Sequence, residues 1–474
     1  MWLLGPAVIP WSPAFDEPLI MRRRRLLILA LVLVLVLLIW QSPALLKAVP
    51  SRYVAAYLPK PLQALAERDH VEMLPTVDLA VDTAALLGQS AQPTQEAEPV
   101  STTTEPTPFA TTATLSPGDP SATPTTLAAT SQPSPTAEAT PTPTNTPIPF
   151  PATARLRALD HHFQGWNNCG PATMAMALSY FDLRLSQEQT AAVLKPDPED
   201  RNVSPYEMAD YVNNETNLAA LSRTNGDLDL VRRLVSRGFP VIIELGLDPP
   251  GEYRWMGWYG HYLLVVAYDD QNEQVWAYDS WFGTSEVPGE NADSEGRQIG
   301  YDDLDTYWRQ FGRNYIVLFD PVDRPTVTEI IGPAMDDETM WRAALARTQD
   351  EIAHEDDNAF LWFNLGTAYN ALGDHEMAAA AFDQARAIGL PWRMLWYQFG
   401  PYEAYYEVGR YEDVILLAEV TLQDRPYFEE SYYYRALAKA ALGELKQAQA
   451  DLEKAVKRNP NFGPAVEALE QIRT

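Results

Sequence analysis

The chain has 474 residues, a single cysteine and a formal net charge of −29. That length exceeds one ordinary core, so several domains and some non-globular chain are expected. The acidic balance argues against a nucleic-acid partner, because phosphate binding needs a basic face that displaces counterions, and one cysteine cannot close an internal disulfide.

Residues 1–25 are expected to be a cytoplasmic N-terminus. Met21 directly precedes four arginines at 22–25, so residues 1–20 are consistent with a start-site artefact. The segment 26–46 opens with an unbroken Leu- and Val-rich run. Basic residues ahead of such a run stay on the cytoplasmic side, which makes it a transmembrane signal-anchor with the rest of the chain extracytoplasmic, attached to the cell membrane as a single-pass protein. The apolar run is somewhat shorter than the roughly 20 residues of a comfortable span. Ser42, Pro43 and Ala44 offer a cleavage site, so a cleaved signal and secretion stand as the alternative. A juxtamembrane segment follows at 47–91, with Leu62, Leu65 and Ala66 at helical spacing before Pro75.

Residues 92–153 are rich in Pro, Thr and Ser and cannot bury enough apolar surface to offset chain entropy. A disordered linker is expected there, able to hold an anchored domain on the order of 100 Å from the membrane. Its hydroxyls are either bare or carry O-linked sugars.

Within 154–324 the only cysteine, Cys169, sits in Gln164-Gly165-Trp166-Asn167-Asn168-Cys169-Gly170-Pro171. A lone cysteine is usually a small core residue. Pro171 is at home in a helix's first turn, which puts Cys169 at or just before a helix N-terminus, where the dipole favours thiolate. Gln164 is placed to share an oxyanion with the Cys169 N–H. Six histidines are present, and position eliminates all but His261: His70 precedes the linker, His354 and His375 follow in helical sequence, and His161 and His162 are too near Cys169 along the chain. His261 opens a strand, residues 269–272 read as a turn, and a second strand returns through Tyr278. A turn centred near Asp270 or Gln271 sets His261 opposite Asp279 or Ser280, with Cβ atoms ~5 Å apart. Asp279 then orients His261. Residues 238–245 and 315–319 read as further strands, the latter closing the sheet. Tyr253, Trp255, Trp258 and Tyr259 either line a cleft or pack the β region, and Trp281 either shields the His–Asp pair or packs. Asn202 and Asn214 head glycosylation sequons.

The Gln164 to Thr173 stretch, the Gly260-His261 strand and Asp279 together resemble the C39-like branch of papain-type cysteine peptidases. The resemblance implies an α+β papain-like domain, with a helical lobe carrying Cys169 and an antiparallel β lobe carrying His261 and Asp279. It also implies roles: Cys169 the nucleophile, His261 general base then acid, Asp279 its orienter and Gln164 the oxyanion donor. No Gly-rich Lys-Ser phosphate loop occurs in the chain, which argues against export-coupled leader processing. The alternative is a non-catalytic peptide-binding or scaffold domain of the same fold. A Cys/His metal site lacks a spaced ligand set, and no cofactor is expected.

Residues 325–357 read as a connecting helical segment whose acidic residues, Asp336 to Glu338 and Glu355 to Asp357, mark a solvated face. Self-similarity follows: Trp362, Leu365, Gly366, Tyr369, Ala378, Phe382 and Ala385 resemble a tetratricopeptide repeat, with turn glycines recurring as Gly373, Gly409 and Gly443. Three repeats and a capping helix over 358–474 form an all-α solenoid, with Pro401 disturbing the middle repeat. Stacked helix pairs leave a groove for a protein partner, or serve as a spacer or dimerisation surface. The partners implied are therefore a peptide or protein substrate, a protein in the repeat groove, and the membrane through the N-terminal helix.

Overall fold

The computed structural model of the protein describes residues 73–77, 86–87, 150–248, 257–285, 287, 289–292 and 295–474. The expected anchor at 26–46, the helical spacing at 62–66, nearly all of the 92–153 linker, and Tyr253 and Trp255 lie outside the described residues. Among the described residues no helix is long and apolar enough to cross a membrane. Of the described residues, 73–77 and those from 152 onward belong to one compact unit, and 86–87 and 150–151 to a second.

In chain order the first half runs β1 (Thr153–Arg155), α1 (Cys169–Ser179), α2 (Gln187–Leu194), α3 (Pro205–Glu215), β2 (Ala219–Arg223), α4 (Leu228–Ser236), β3 (Val241–Leu247), β4 (Tyr259–Asp269), β5 (Gln274–Asp279), β6 (Arg297–Gly300), α5 (Tyr301–Trp308) and β7 (Tyr315–Phe319). The strands make one antiparallel sheet in the order β2-β7-β3-β4-β5-β6, with β1 pairing β4. β7 does not close the sheet as expected. It lies between β2 and β3, and all five of its residues are buried, as an inner strand requires. β4 is the spine: β3 covers Tyr259 to Val265 on one side, while β1 covers Ala267 to Asp269.

Helix α1 is buried from Gly170 to Ser179. A helix apolar on all sides must be surrounded by protein. Here Met174, Met176 and Leu178 pack with Ile242, Leu264, Val266, Tyr278, Ile316 and Leu318 of the sheet and with Met208 and Val212 of α3. The sheet therefore fixes α1 along its length, and with it the cysteine at its first position. Asn202, head of one glycosylation sequon, is 5% exposed, which leaves no room for a sugar.

The second half is helical: α6 (Arg324–Ile331), α7 (Asp337–Ile352), α8 (Ala359–Ala371), α9 (His375–Ile388), a 3-10 turn at Trp392–Trp396, α10 (Gly400–Glu407), α11 (Tyr411–Asp424), α12 (Glu429–Ala441), α13 (Leu445–Arg458) and α14 (Gly463–Arg473). Gly373, Gly409 and Gly443 each end the first helix of a pair with φ between 75° and 82°, a left-handed cap that glycine adopts without a Cβ penalty. Gly366 lets two helices touch: a Cβ there would meet the Phe382 ring at 2.8 Å. Pro401 sits in the first turn of α10 and does not break it, but that helix is only eight residues long.

The repeat region lies against the sheet domain at its start, middle and end. Asn364 Nδ2 donates to the Arg309 carbonyl (2.6 Å) and Arg313 pairs with Glu351 (2.8 Å). Arg393 Nη1 donates to the Trp258 carbonyl (3.1 Å), and Arg458 pairs with Asp197 (2.8 Å).

Residues 73–77 also join this unit. Met73 forms a bridge with Pro391, the Leu74 N–H donates to the Leu390 carbonyl (2.8 Å), and Arg386 Nε donates to the Pro75 carbonyl (2.9 Å). Leu74 is 1% exposed. The chain is thus fixed to the repeats before the Pro/Thr-rich stretch begins, so the length of that stretch alone does not set how far the folded unit stands from an anchor. Proteolysis within 92–149 should consequently leave the N-terminal piece bound to 152–474 on gel filtration, and Leu74→Asp should release it. Immediate release from the wild-type protein would contradict the docking of 73–77.

Candidate active site

Cys169 is the first residue of α1, with Asn168 as N-cap and Pro171 two positions on, so the thiol stands at the positive end of an eleven-residue helix. The loop before it is tied from α2. Gln187 Oε1 accepts from the Gly165 N–H (2.6 Å) and from Asn168 Nδ2 (3.1 Å), while its Nε2 donates to the Phe163 carbonyl (2.8 Å). Asn167 takes φ = 56°, a left-handed conformation that asparagine tolerates. Its carbonyl accepts from Lys195 Nζ at 2.9 Å. Neither Gln187 nor Lys195 stands out in the sequence, because each acts by tying down a loop far from it along the chain.

Gln164 is held by two bonds: its N–H donates to the Ser280 carbonyl (2.8 Å) and its Oε1 accepts from Ser280 Oγ (2.8 Å). With the amide oxygen so occupied, Nε2 is the amide group left to donate.

His261 and Asp279 come together, though not by the expected register. Asp279 pairs with Leu263, not with His261. The turn takes four residues between Asp269 and Gln274, and a bulge between Val265 and Ala267 shifts the ladder. His261 reaches Asp279 diagonally across the two strands. Its Nε2–H donates to Asp279 Oδ1 at 2.8 Å, and its remaining nitrogen, Nδ1, is left for the Cys169 thiol, which lies near enough to favour the ring's charged form.

Asp279 has no solvent exposure and His261 2%. A buried carboxylate must be met on every lone pair. Oδ1 accepts the Trp281 and Phe282 N–H groups (2.8 and 3.0 Å) as well as His261, and Oδ2 accepts Arg297 Nη1 at 2.7 Å. Arg297 enters from β6, where it pairs with Ala277. Trp281 thus serves through its backbone, and its ring is 38% exposed. His161, set aside for its closeness to Cys169, donates through Nε2 to the Asp279 carbonyl at 2.8 Å.

These contacts decide the charges. Burial would raise Asp279, but His261, Arg297 and the Phe282 N–H hold it well below the usual carboxylate range. Burial would lower His261, yet Asp279 and Cys169 raise it to about 10. Burial would raise the Cys169 thiol, and His261, Lys195 and the Gly170 N–H bring it below its ordinary value. The imidazolium and the thiolate thus favour one another. Glu244, 1% exposed on β3, accepts from Asn314 Nδ2 (2.8 Å) and is pushed up to about 8 by burial, with the Cys169 charge adding to the rise and the Asn314 bond opposing it. It is therefore mostly neutral at pH 7 and does not compete for the imidazolium.

Of the flanking aromatics, Trp258 packs in the interior of the seam, stacked on Phe311 (5.8 Å) and Phe360 (5.6 Å), and the Tyr259 ring lies 6.0 Å from His261. Cys169 is half-buried and so remains reachable. Among the described residues no group of three or more His, Cys, Asp or Glu is arranged to hold a metal ion.

Residues 149–316 match the model of the Peptidase_C39 like family, and residues 361–385 and 429–462 match that of the Tetratricopeptide repeat. A crystal structure from Bacillus anthracis assigned as a C39-like peptidase is similar at 17% sequence identity and a TM-score of 0.24, covering 37% of this chain and 95% of that one. No curated protein matches.

Asp279→Asn keeps a hydrogen-bond acceptor beside His261 but removes the charge. His261 should then fall from about 10 toward the ordinary imidazole range, and alkylation of Cys169 at pH 7 should slow by on the order of tenfold as the thiol's own value climbs. An unchanged pH profile of alkylation would show that the carboxylate does not hold the imidazolium. Arg297→Gln should cost about 1–3 kcal/mol in urea denaturation by leaving a buried oxygen unmet.

Proposed function

We propose that the protein is a membrane-anchored, extracytoplasmic cysteine peptidase with a papain-like catalytic domain at 154–324, cleaving peptide bonds through Cys169, His261 and Asp279. The observation that carries this reading is His261 hydrogen-bonded to a buried Asp279 and electrostatically coupled to a half-buried thiol at a helix N-terminus. Nucleophile, base and orienter are then in reach of one another, as acyl transfer requires.

The Cys169 thiolate attacks the scissile carbonyl carbon, and the carbonyl electron pair moves onto oxygen. That oxyanion is met by Gln164 Nε2 and the Cys169 N–H, each such donor being worth ~3 kcal/mol of barrier. As the tetrahedral intermediate collapses, the C–N bond breaks and the His261 imidazolium gives its proton to the departing amine. Neutral His261 next takes a proton from water, whose hydroxide attacks the thioester. Collapse releases the acid and restores the thiolate beside the imidazolium. Asp279 keeps the imidazole in one tautomer and one orientation throughout.

The arginines at 22–25 and the apolar run from residue 26 support the anchor and the outward orientation. The tetratricopeptide repeats support a role in protein–protein interaction, since such arrays present extended binding surfaces.

An epoxysuccinyl probe for papain-type enzymes should label the wild-type protein at Cys169 and leave Cys169→Ser unlabelled. His261→Ala should lose peptide turnover by at least about a thousandfold while keeping its circular dichroism. Wild-type turnover in His261→Ala would mean another base. A reporter fused after Thr474 should be active outside the cytoplasm, and cytoplasmic activity would reverse the orientation.

A further inference from the structure

The turn Trp392–Trp396, set between the first two repeats, reaches the chain on both sides of the Cys169–His261 pair. On the histidine side, Gly260 lies against Tyr397. A Cβ at Gly260 would come within 3.1 Å of Tyr397 Cδ1 and Cε1 and 2.7 Å of Phe311 Cζ, so only glycine fits. Two residues earlier, Trp258 meets Tyr397 edge-on at 5.9 Å, and its carbonyl accepts from Arg393 (3.1 Å). On the cysteine side, the Arg201 guanidinium lies 5.2 Å from the Trp396 ring and 5.2 Å from the Trp166 ring. Trp166 stands in the loop between Gln164 and Cys169.

The strand needs such support. β5 pairs with β4 from Leu263 onward, so the end that carries His261 is held by β3 on one side, and the repeat region packs against it through Tyr397. The attraction between thiolate and imidazolium weakens as the two move apart, so the two sides must be held at a fixed separation.

We infer that residues 393–397 are a brace joining the cysteine loop to the histidine strand, with Tyr397 as a positioning residue of the catalytic pair, so that the repeat region completes the active site. This rests on Cys169 and His261 being the reacting pair. Removing the brace loosens the pair before it unfolds either half.

The test is the pH profile of Cys169 alkylation by iodoacetamide in the full chain, read cleanly because no other cysteine is present. Tyr397→Ala should retain its circular dichroism, move the profile toward that of a free thiol near ~8.5, and slow alkylation at pH 7 by about tenfold or more. Tyr397→Phe keeps the ring and should restore the profile to within about twofold of wild type. Should Tyr397→Ala not fold, Trp396→Leu carries the same expectation, since it keeps an apolar filler but removes the ring face against Arg201. A wild-type profile in the folded variants overturns the brace, as does a wild-type thiol that titrates like a free one. A reactive wild-type thiol that cleaves no peptide, together with a shifted Tyr397→Ala profile, sinks the peptidase reading and leaves the brace standing.

Discussion

Asp279 keeps its charge where no water reaches it, and much of the surrounding structure follows from how that charge is met. Its first oxygen takes His261 and two backbone N–H groups, and its second takes Arg297 from the edge strand β6. A buried carboxylate with any of these missing would either take up a proton or destabilise the fold by about 1–3 kcal/mol. Satisfied, it raises His261 to about 10, and the imidazolium in turn lowers the thiol. The reactivity of Cys169 is thus set three contacts away, at Arg297, as much as at the helix N-terminus where the cysteine stands.

The seam with the repeats has a comparable cost and consequence. It buries Glu429 and Glu430 at 2% and 4% exposure. Burial, together with neighbouring carboxylates that include Asp200, pushes both well above the usual range and so favours their neutral form. Isolated buried carboxyls escape most of the cost of burial by staying protonated. Aromatic packing around Trp258 and Trp396 supplies the apolar area that offsets them. A repeat region held in this way is part of the folded unit, whatever further partner it takes.

How much of this was legible in the sequence depends on the distance between cooperating residues. Cys169 at a helix start follows from Pro171, because proline's missing N–H costs nothing in a first turn. The capping glycines of the repeats are equally local. The His261–Asp279 pairing was readable as a hairpin, but the register was wrong: a bulge and a four-residue turn depend on packing that period-two alternation does not encode. Arg297 was invisible, since an irregular stretch separates β5 from β6 and nothing local marks which side chain will return to Asp279. The strand at 315–319 was found, but not its inner place, which topology alone decides. The brace was the least legible part, because Trp396 and Tyr397 look like ordinary repeat-core aromatics until the sheet domain is set beside them.

The account turns on one proton. Isotope-labelled imidazole signals of His261 in the wild-type protein, followed by NMR from pH 4 to 11 and assigned by loss in His261→Ala, report whether the ring is charged when the thiol is not protonated. The account predicts an imidazolium that persists through neutral pH and loses its proton only near 10, with Nε2 bound to Asp279. A ring that titrates near the unperturbed ~6.5 would contradict it, leaving Cys169 a protonated thiol beside a neutral histidine.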